Sequence, residues 1–113
     1  MSNPEIVFPP GPYNDTYNAR IFTMVYKDRI LWAKNYGGWF IYNGKVWELD
    51  QNDRIKLFAI EIFDAMRHYG DKFEGSGDMR EAWLRHVKSP GSDSSLNSMI
   101  SCSKAFLGSE VYF

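Results

Sequence analysis

The chain has 113 residues, a length that fits one domain with a single hydrophobic core, so a second domain is not expected. Hydrophobic residues make up 44% and aromatic residues 17% of the chain, which indicates a globular protein with a core or surface built on rings. The formal net charge is −1. This balance argues against strong electrostatic binding of duplex DNA, which usually requires a basic domain.

Few residues are available for disulfide or metal chemistry. Cys102 is the single cysteine, and with His68 and His86 as the only histidines no zinc-ligand spacing can be assembled. The first residues do not form a secretory signal, and no run approaches the ~18 apolar residues of a membrane span. We therefore expect a soluble cytoplasmic protein with no cofactor, no metal and no membrane partner.

The first thirteen residues are rich in proline. Pro4, Pro9, Pro10 and Pro12 remove amide donors and favour extended backbone, so residues 1–13 are predicted to be an arm or linker and residues 14–113 the domain. The arm also contains apolar residues that predict packing on the domain: Ile6, Val7 and Phe8.

A first helix and a first strand follow the arm. Asn14, Asp15 or Thr16 is expected to cap the helix, which should end near Lys27. Residues 30–33 are predicted to form a strand and residues 34–38 a loop. The apolar positions at helical spacing are Tyr17, Ile21, Met24 and Val25.

Residues 39–49 predict a β-hairpin. Runs of aromatic and β-branched residues flank Asn43 and Gly44, which suit the two positive φ angles of a two-residue type I′ turn. Such a turn fixes the register and makes both faces apolar, so we expect the rest of the chain to cover both faces. The predicted pairs are Tyr42 with Lys45, Ile41 with Val46, Phe40 with Trp47 and Trp39 with Glu48. One face then carries Phe40, Tyr42, Trp47 and Leu49, and the other carries Trp39, Ile41 and Val46.

The longest predicted helix follows the hairpin. Asp50 or Asn52 should cap it, and it should run to about Tyr69 with Gly70 at the position just beyond its end. Its apolar stripe is expected to cover one face of the hairpin. The stripe consists of Ile55, Phe58, Ala59, Ile62, Met66 and Tyr69. Leu57 and Ile60 lie on the opposite side, either as core for another helix or as contacts for a protein partner.

Two shorter helices complete the prediction. After a mobile loop over residues 70–77, Ser76 or Asp78 should cap a third helix that Pro90-Gly91 ends. The side of that helix with an apolar character carries Met79, Ala82, Trp83 and His86. A fourth helix is predicted over residues 94–107, on the helical spacing of Leu96, Met99, Ile100, Ser103 and Leu107. The predicted fold is α+β, a three-stranded antiparallel meander packed against about four helices.

No catalytic motif was found in the sequence. It has no Gly-rich phosphate loop, no Gly-x-Ser-x-Gly and no His-Glu-x-x-His, so we do not expect an enzyme. Cys102 could in principle pair with a histidine, but a half-buried structural cysteine is the favoured interpretation. The carboxylate pairs Glu61 with Asp64 and Asp71 with Glu74 are interpreted as solvated faces, and His86 as a helix-end residue whose charged form the helix dipole favours.

Aromatic rings interleaved with cations are typical of single-strand binding. Rings and lysines of this kind surround the predicted meander, and the third helix carries a short basic run. Core packing is nevertheless favoured over base stacking for Trp39 and Trp47, because burying an indole stabilises a fold by ~2–3 kcal/mol. The candidate nucleic-acid contacts are Lys34, Lys45, Arg80, Arg85, His86 and Lys88. The candidate protein contacts are Leu57 and Ile60.

Residues 14–113 resemble the N-terminal-like domain that precedes the helicase in poxvirus primase-helicases and in phage and plasmid primases. The distinctive part is the hairpin segment 38–47 with its Trp-x-x-Tyr-x-Gly-x-x-Trp pattern. The other matching features are Asn18-Ala19-Arg20 with Phe22, Asp28-Arg29-Ile30, Asp50, the long helix behind the hairpin, and the Ser-rich final helix followed by Val111-Tyr112-Phe113.

The resemblance implies a non-enzymatic module of a phage or mobile-element DNA primase-helicase. In that family the domain links an upstream primase to a downstream ring-forming helicase, and the nucleotide-binding motor would begin after the position of Phe113. The chain is thus expected to be a fragment or a stand-alone relative that assists DNA positioning. Implied partners are weakly bound DNA, the primase and helicase domains, and further copies through the adjoining helicase, in a phage- or plasmid-infected bacterial cell.

Two alternatives remain open. One is a stand-alone protein-interaction adaptor that uses Leu57, Ile60 and the arm. The other is an independent DNA-binding domain with a recognition helix that carries Arg80, Arg85, His86 and Lys88, against which the net charge counts.

Overall fold

A computed structural model describes residues 8, 9, 11–70, 73, 77–87 and 93–110. Four helices and a four-stranded sheet occupy these residues, so the predicted α+β class is confirmed. The helices are α1 (Asp15–Tyr26), α2 (Arg54–Gly70), α3 (Gly77–His86) and α4 (Asp93–Leu107). The strands are β1 (Ile30–Ala33), β2 (Gly38–Tyr42), β3 (Trp47–Leu49) and β4 (Gly108–Ser109), in the sheet order β3-β2-β1-β4.

The fourth strand is the main departure from the predicted meander. Strands β1, β2 and β3 pair antiparallel as expected, but β4 adds to the free edge of β1 in parallel, with Trp32 opposite Gly108. The backbone N–H of Lys34 donates to the carbonyl of Ser109 (2.9 Å). A Gly-Ser pair has little strand propensity, and its partner lies some 75 residues earlier by the register, so local pattern gives no signal for it.

The hairpin register differs from the predicted one by two residues. Tyr42 lies opposite Trp47, and residues 43–46 form a four-residue loop. Gly44 has a φ of +99°, but Asn43 does not share the positive φ that a type I′ turn needs. Instead, the Asn43 carboxamide oxygen accepts from the backbone N–H groups of Lys45 (2.9 Å) and Val46 (3.0 Å). The shift of two residues keeps Phe40, Tyr42, Trp47 and Leu49 on one face. The predicted place of Val46 opposite Ile41 is wrong, because Val46 lies in the loop, 55% exposed, and Glu48 stands opposite Ile41.

Helices cover one face of the sheet. Ile30, Trp39 and Ile41 are buried in a core that they share with residues of all four helices. The α2 stripe shares this core with Trp39 and Ile41, as predicted, but the main backbone contact with the sheet comes from α4, which packs against β1, while α2 packs mainly against α4. The physical reason is connectivity, since α4 leads directly into β4 and is thereby held beside β1.

The other face of the sheet is less covered than predicted. Phe40 is buried there, but Tyr42 and Trp47 are half-buried and Leu49 is exposed. None of these four described residues belongs to the core shared with the helices. The rings of Tyr42 and Trp47 contact each other across the strands at 5.4 Å, so the sheet partly covers this face with its own side chains.

Helix α1 begins and ends where predicted. Asn14 is the N-cap, and its side-chain oxygen accepts from the backbone N–H of Tyr17 (2.8 Å). Met24 was predicted to face the core but is 52% exposed. Phe22 and Tyr26 are buried instead, because α1 packs against both α4 and α2 and therefore buries a wider face than one stripe.

Helix α2 confirms Asp50 as its cap. One carboxylate oxygen of Asp50 accepts from the backbone N–H of Arg54 (3.0 Å), and the other accepts from that of Ile55 (2.9 Å). Gly70 is the last residue of the helix, and its φ is not positive. The prediction that Gly70 lies just beyond the end of the helix is therefore wrong. A Cβ at Gly70 would lie 3.3 Å from the Leu84 side chain and 3.7 Å from the Trp83 ring, so this glycine permits the close approach of α2 and α3.

Helices α3 and α4 match their predictions closely. Trp83 is fully buried, and all five predicted apolar-stripe positions of α4 are buried. The predicted caps and stops at Ser76 and Pro90-Gly91 lie outside the described residues, as does most of the predicted loop over residues 70–77. Among the helices that the structure describes, none combines the length and apolar character needed to cross a bilayer.

Candidate nucleic-acid interface

The predicted cations lie on three separate elements. Lys34 follows β1, Lys45 lies in the loop between β2 and β3, and Arg80 and Arg85 are exposed on α3. The loops that carry the two lysines are at opposite ends of β2, which at about 3.3 Å per residue separates them by roughly 16 Å. Lys88 lies outside the described residues. The structure therefore does not gather the predicted contacts into a single patch.

His86 is held inside a polar and aromatic contact between α1 and α3. Its Nε2 lies 2.7 Å from the side-chain oxygen of Asn18, which is buried, and its ring stacks on Tyr13 with the centroids 5.8 Å apart. Burial lowers the pKa of His86 below its ordinary value, and the Asp15 carboxylate only partly opposes this shift. This direction is opposite to the expectation that the helix dipole favours the charged form of His86, because burial disfavours that form.

Arg85 and His86 share a groove with the arm. The groove has a volume of about 550 Å³. Arg80 is not among its lining residues, so α3 presents its two arginines to different surroundings. The lining residues are Gly11, Pro12, Tyr13, Met79, Ala82, Arg85 and His86.

The part of the arm that the structure describes packs on the domain. Phe8 contacts the rings of Tyr69 (4.9 Å between centroids) and Trp83 (5.2 Å), and Tyr13 contacts Trp83 at 5.1 Å. The Trp83 indole N–H donates to the carbonyl of Met66 (3.1 Å), which satisfies its one buried polar group. Ile6 and Val7, which were also predicted to dock, lie outside the described residues.

A second groove combines tryptophan and lysine side chains. This groove, the Trp32 groove hereafter, has a volume of about 330 Å³ between β1, β2, the start of α2 and α4. The Lys104 ammonium lies 4.0 Å from the centroid of the Trp32 ring, and the Trp39 ring is 5.4 Å away in an edge contact. It is lined by Trp32, Trp39, Asp53, Ile55, Lys56, Asn97, Ile100, Ser101 and Lys104.

Sequence reasoning found only part of this groove. Trp39 is a candidate for base stacking in the sequence, but its side chain is buried in the core, which agrees with the favoured interpretation. Trp32, Lys56 and Lys104 were missed because they come from three elements that are distant in sequence. The sequence signal for this groove was the short spacing between Trp32 on β1 and Lys34, which lies two residues later in the loop after β1.

The predicted protein contacts face solvent. Leu57 is 59% exposed and Ile60 39% exposed, in contrast to the buried stripe on the other side of α2. Their exposure removes the alternative that they serve as core for another described helix. At a spacing of three residues they lie side by side, so they form one exposed apolar patch on α2.

The remaining candidate residues have structural partners. The Tyr26 hydroxyl donates to the carboxylate of Glu61 (2.7 Å), and Asp64 pairs with Arg67 (3.1 Å). Cys102 is half-buried and free, as predicted, whereas Asp71 and Glu74 lie outside the described residues. Within the described ranges, no group of three or more His, Cys, Asp or Glu side chains is placed to hold a metal ion.

These features define a small α+β domain with an aromatic core, dispersed cations and exposed apolar side chains. Residues 19–110 match the protein-family model described as D5 N terminal like. The match covers most of the chain, so the chain belongs to this family, the N-terminal domain of D5-type primase-helicases. The resemblance identified from the hairpin pattern is thereby confirmed. Comparison with curated proteins and with solved structures gives no match.

Proposed function

We propose that the chain is a non-catalytic module of a primase-helicase replication protein, the role that its family membership implies. This module links the primase and helicase parts of a phage or mobile-element protein and assists the positioning of DNA. The family match carries the proposal. Two surface features support it, namely the exposed apolar pair Leu57 and Ile60 on α2 and the exposed arginines on α3.

The linking role depends on protein contacts through α2. The apolar stripe of this helix is used in the core, so Leu57 and Ile60 are available for a neighbouring domain. Removing both side chains should weaken an interface while leaving the fold intact, because exposed positions contribute little to stability.

This role can be tested with the purified chain and the separately purified primase and helicase domains of a D5-type protein from the same genome. Calorimetry should show binding to at least one of them, and Leu57→Ser with Ile60→Ser should weaken it at least tenfold. Met24→Ser is the control, because Met24 is 52% exposed, between Ile60 and Leu57, but lies on α1. Equal binding by the double variant and the wild type would contradict the proposed use of α2.

The DNA role depends on weak electrostatic contacts. With a net charge of −1, the chain is expected to bind oligonucleotides near the non-specific range of about 10⁻⁴–10⁻⁶ M and to lose affinity steeply with salt. Fluorescence anisotropy with labelled single strands and duplexes measures both properties. Arg80→Ala with Arg85→Ala should lower the affinity and reduce the slope of its salt dependence. Lys27 is an exposed cation at the end of α1, and Lys27→Ala should change the affinity and the slope less.

The same titration separates the two alternatives. No salt-dependent binding at all would favour the protein-interaction adaptor over the DNA role. Tight binding that persists at physiological salt and is abolished by the two α3 substitutions would favour an independent DNA-binding domain.

A further inference from the structure

We propose that the Trp32 groove binds one unstacked nucleotide of a single DNA strand, with the phosphate held by lysine ammonium groups and the base against the Trp32 indole. This inference rests on the proposed DNA role and names the site and the form of DNA. It does not involve the arginines of α3, which lie on a helix that packs against α2 and not against this groove.

The charge of the groove supports an anionic ligand. Lys56 and Lys104 line it, and the Lys34 side chain lies beside it, since a Cβ at Gly108 would be 2.8 Å from Lys34 Cε and 3.4 Å from Trp32 Cδ1. Asp53 is the one carboxylate among the described lining residues, and Lys56 is on the first turn of the helix that follows it. The groove is thus locally positive in a chain whose net charge is −1.

The aromatic wall supports a base. Trp32 is half-buried, and the Lys104 ammonium lies over its ring, 4.0 Å from the ring centroid, so a base stacks on this face of Trp32 when the ammonium moves aside to hold the phosphate. A nucleotide presents a phosphate next to a flat apolar base, which is the same juxtaposition of charge and ring that Lys104 and Trp32 present. Stacking on an aromatic side chain is favourable for every base, because each base has a π-face.

The polar positions of α4 complete the site. Asn97, Ser101 and Lys104 follow one another at spacings of four and three residues, so they lie on the same face of the helix. Asn97 and Ser101 are exposed and supply hydrogen-bond donors and acceptors for a base edge or a phosphate.

The size of the groove suits single-stranded DNA better than duplex DNA. About 330 Å³ is near the lower end of the range for small-ligand sites, which suits one nucleotide. Bases inside a duplex are stacked on each other and cannot place a face against Trp32 unless they are extruded from the duplex, which is unfavourable. The groove should therefore prefer single strands over duplexes of the same length.

The first test uses anisotropy of a labelled oligothymidine strand with the full chain. Lys56→Gln with Lys104→Gln should lower the association constant at least tenfold and reduce the slope of its logarithm against log salt by about 0.7 per lost phosphate contact. Arg20→Gln with Lys27→Gln removes the same charge from exposed positions on α1 and at its end, and should retain most of the affinity. If both double variants lose affinity equally, the effect is one of net charge and the proposed site is wrong.

A second test examines the base contact. Trp32→Leu should weaken binding of oligothymidine by about five-fold or more, but should leave binding of an abasic strand with the same number of phosphates unchanged. In wild-type protein, a strand with photoreactive bromodeoxyuridine should crosslink to Trp32, which peptide mass spectrometry can locate. Crosslinks confined to α3 or the arm would overturn the inference even if Trp32→Leu proved unstable.

The outcomes distinguish this inference from the DNA role on which it rests. Wild-type binding that is lost in the α3 variants but not in the groove variants would overturn the groove and retain the DNA role. Absence of wild-type binding to any strand at low salt would overturn both.

Discussion

At the scale of single residues, burial decides the chemistry of the side chains that looked functional in the sequence. His86 illustrates this, because its neighbours are the buried Asn18 and the rings of Tyr13, Tyr17 and Trp83. The same residue type at His68 is exposed on α2. Sequence composition and spacing show no difference between His68 and His86. Only their surroundings in the fold make them chemically different.

The lowered pKa of His86 predicts a pH dependence of stability. The unfolded state titrates near the ordinary value of 6.5 and the folded state below it, so between the two the unfolded chain binds more protons. Stability contributed by neutral His86 is therefore fully present above pH 6.5 and is lost as the pH falls through that value towards the folded pKa. Urea midpoints measured between about pH 8 and pH 5 should show this loss.

Two variants isolate the effect. His86→Gln can keep a hydrogen bond to Asn18 but cannot be protonated, so its urea midpoint should fall less steeply with acidification than that of the wild type. His68→Gln should retain the wild-type steepness. A profile of His86→Gln that parallels the wild type would show that other groups control the acid response.

At the scale of elements, polar side chains cap the beginnings of α1 and α2 and stabilise the hairpin loop. Asn14 caps α1, Asp50 caps α2, and Asn43 accepts two backbone N–H groups in the β2–β3 loop. In each place a short polar side chain takes the backbone donors that lack a partner within the element. The hairpin register follows from such a bond, since the Asn43 side chain stabilises a four-residue loop in place of the two-residue turn.

The cap of α2 gives a prediction at this scale. Asp50→Ala leaves the N–H groups of Arg54 and Ile55 without their acceptor, so the free energy of unfolding should fall by about 1–2 kcal/mol. Asp50→Ser should restore part of this loss, because a hydroxyl can accept one of the two bonds. Chemical denaturation measures both variants.

Asp64→Ala is the appropriate control for the cap. It also removes a carboxylate that contacts an arginine, but from an exposed position within α2, where an ion pair contributes under about 1 kcal/mol. If Asp64→Ala and Asp50→Ala cost the same, the loss at Asp50 would reflect charge and not capping.

At the scale of the whole molecule, one core joins elements from both ends of the chain. It includes residues of α1, β1, β2 and all the later helices, and Phe8 and Tyr13 of the arm pack against it. The arm therefore contributes to the fold as well as leading into it. Trp83 is the centre of this contact, because rings from the arm, α1 and α2 all touch it.

Removal of residues 1–13 should consequently destabilise the domain. The deletion uncovers part of Trp83 and Tyr69, and we expect a loss of about 2–4 kcal/mol, on the scale of two partly buried aromatic side chains. The variant Phe8→Ala with Tyr13→Ala in the full chain should reproduce most of this loss. Urea midpoints that do not change on deletion would identify the arm as a linker only.

Structural features that depend on residues close in sequence were predicted correctly, and features that depend on contacts between distant segments were not. The bounds of α1, β1 and α4 and the buried stripe of α4 were predicted because caps and helical periodicity are local properties of the chain. The pairing of β4 with β1 and the approach of α2 to α3 at Gly70 were not, because each joins segments that are distant in sequence. The Trp32 groove belongs to the second group, since its lysines come from α2 and α4.

The sequence by itself determined the α+β class, the four helices, the hairpin and the family. Tertiary structure alone decided which hairpin face the helices cover, that burial lowers the pKa of His86, and that Trp32 lies beside Lys104. The division has one physical cause. Hydrogen bonding and periodicity act within a few residues and leave a pattern in the chain, whereas burial and charge proximity depend on how distant segments pack together.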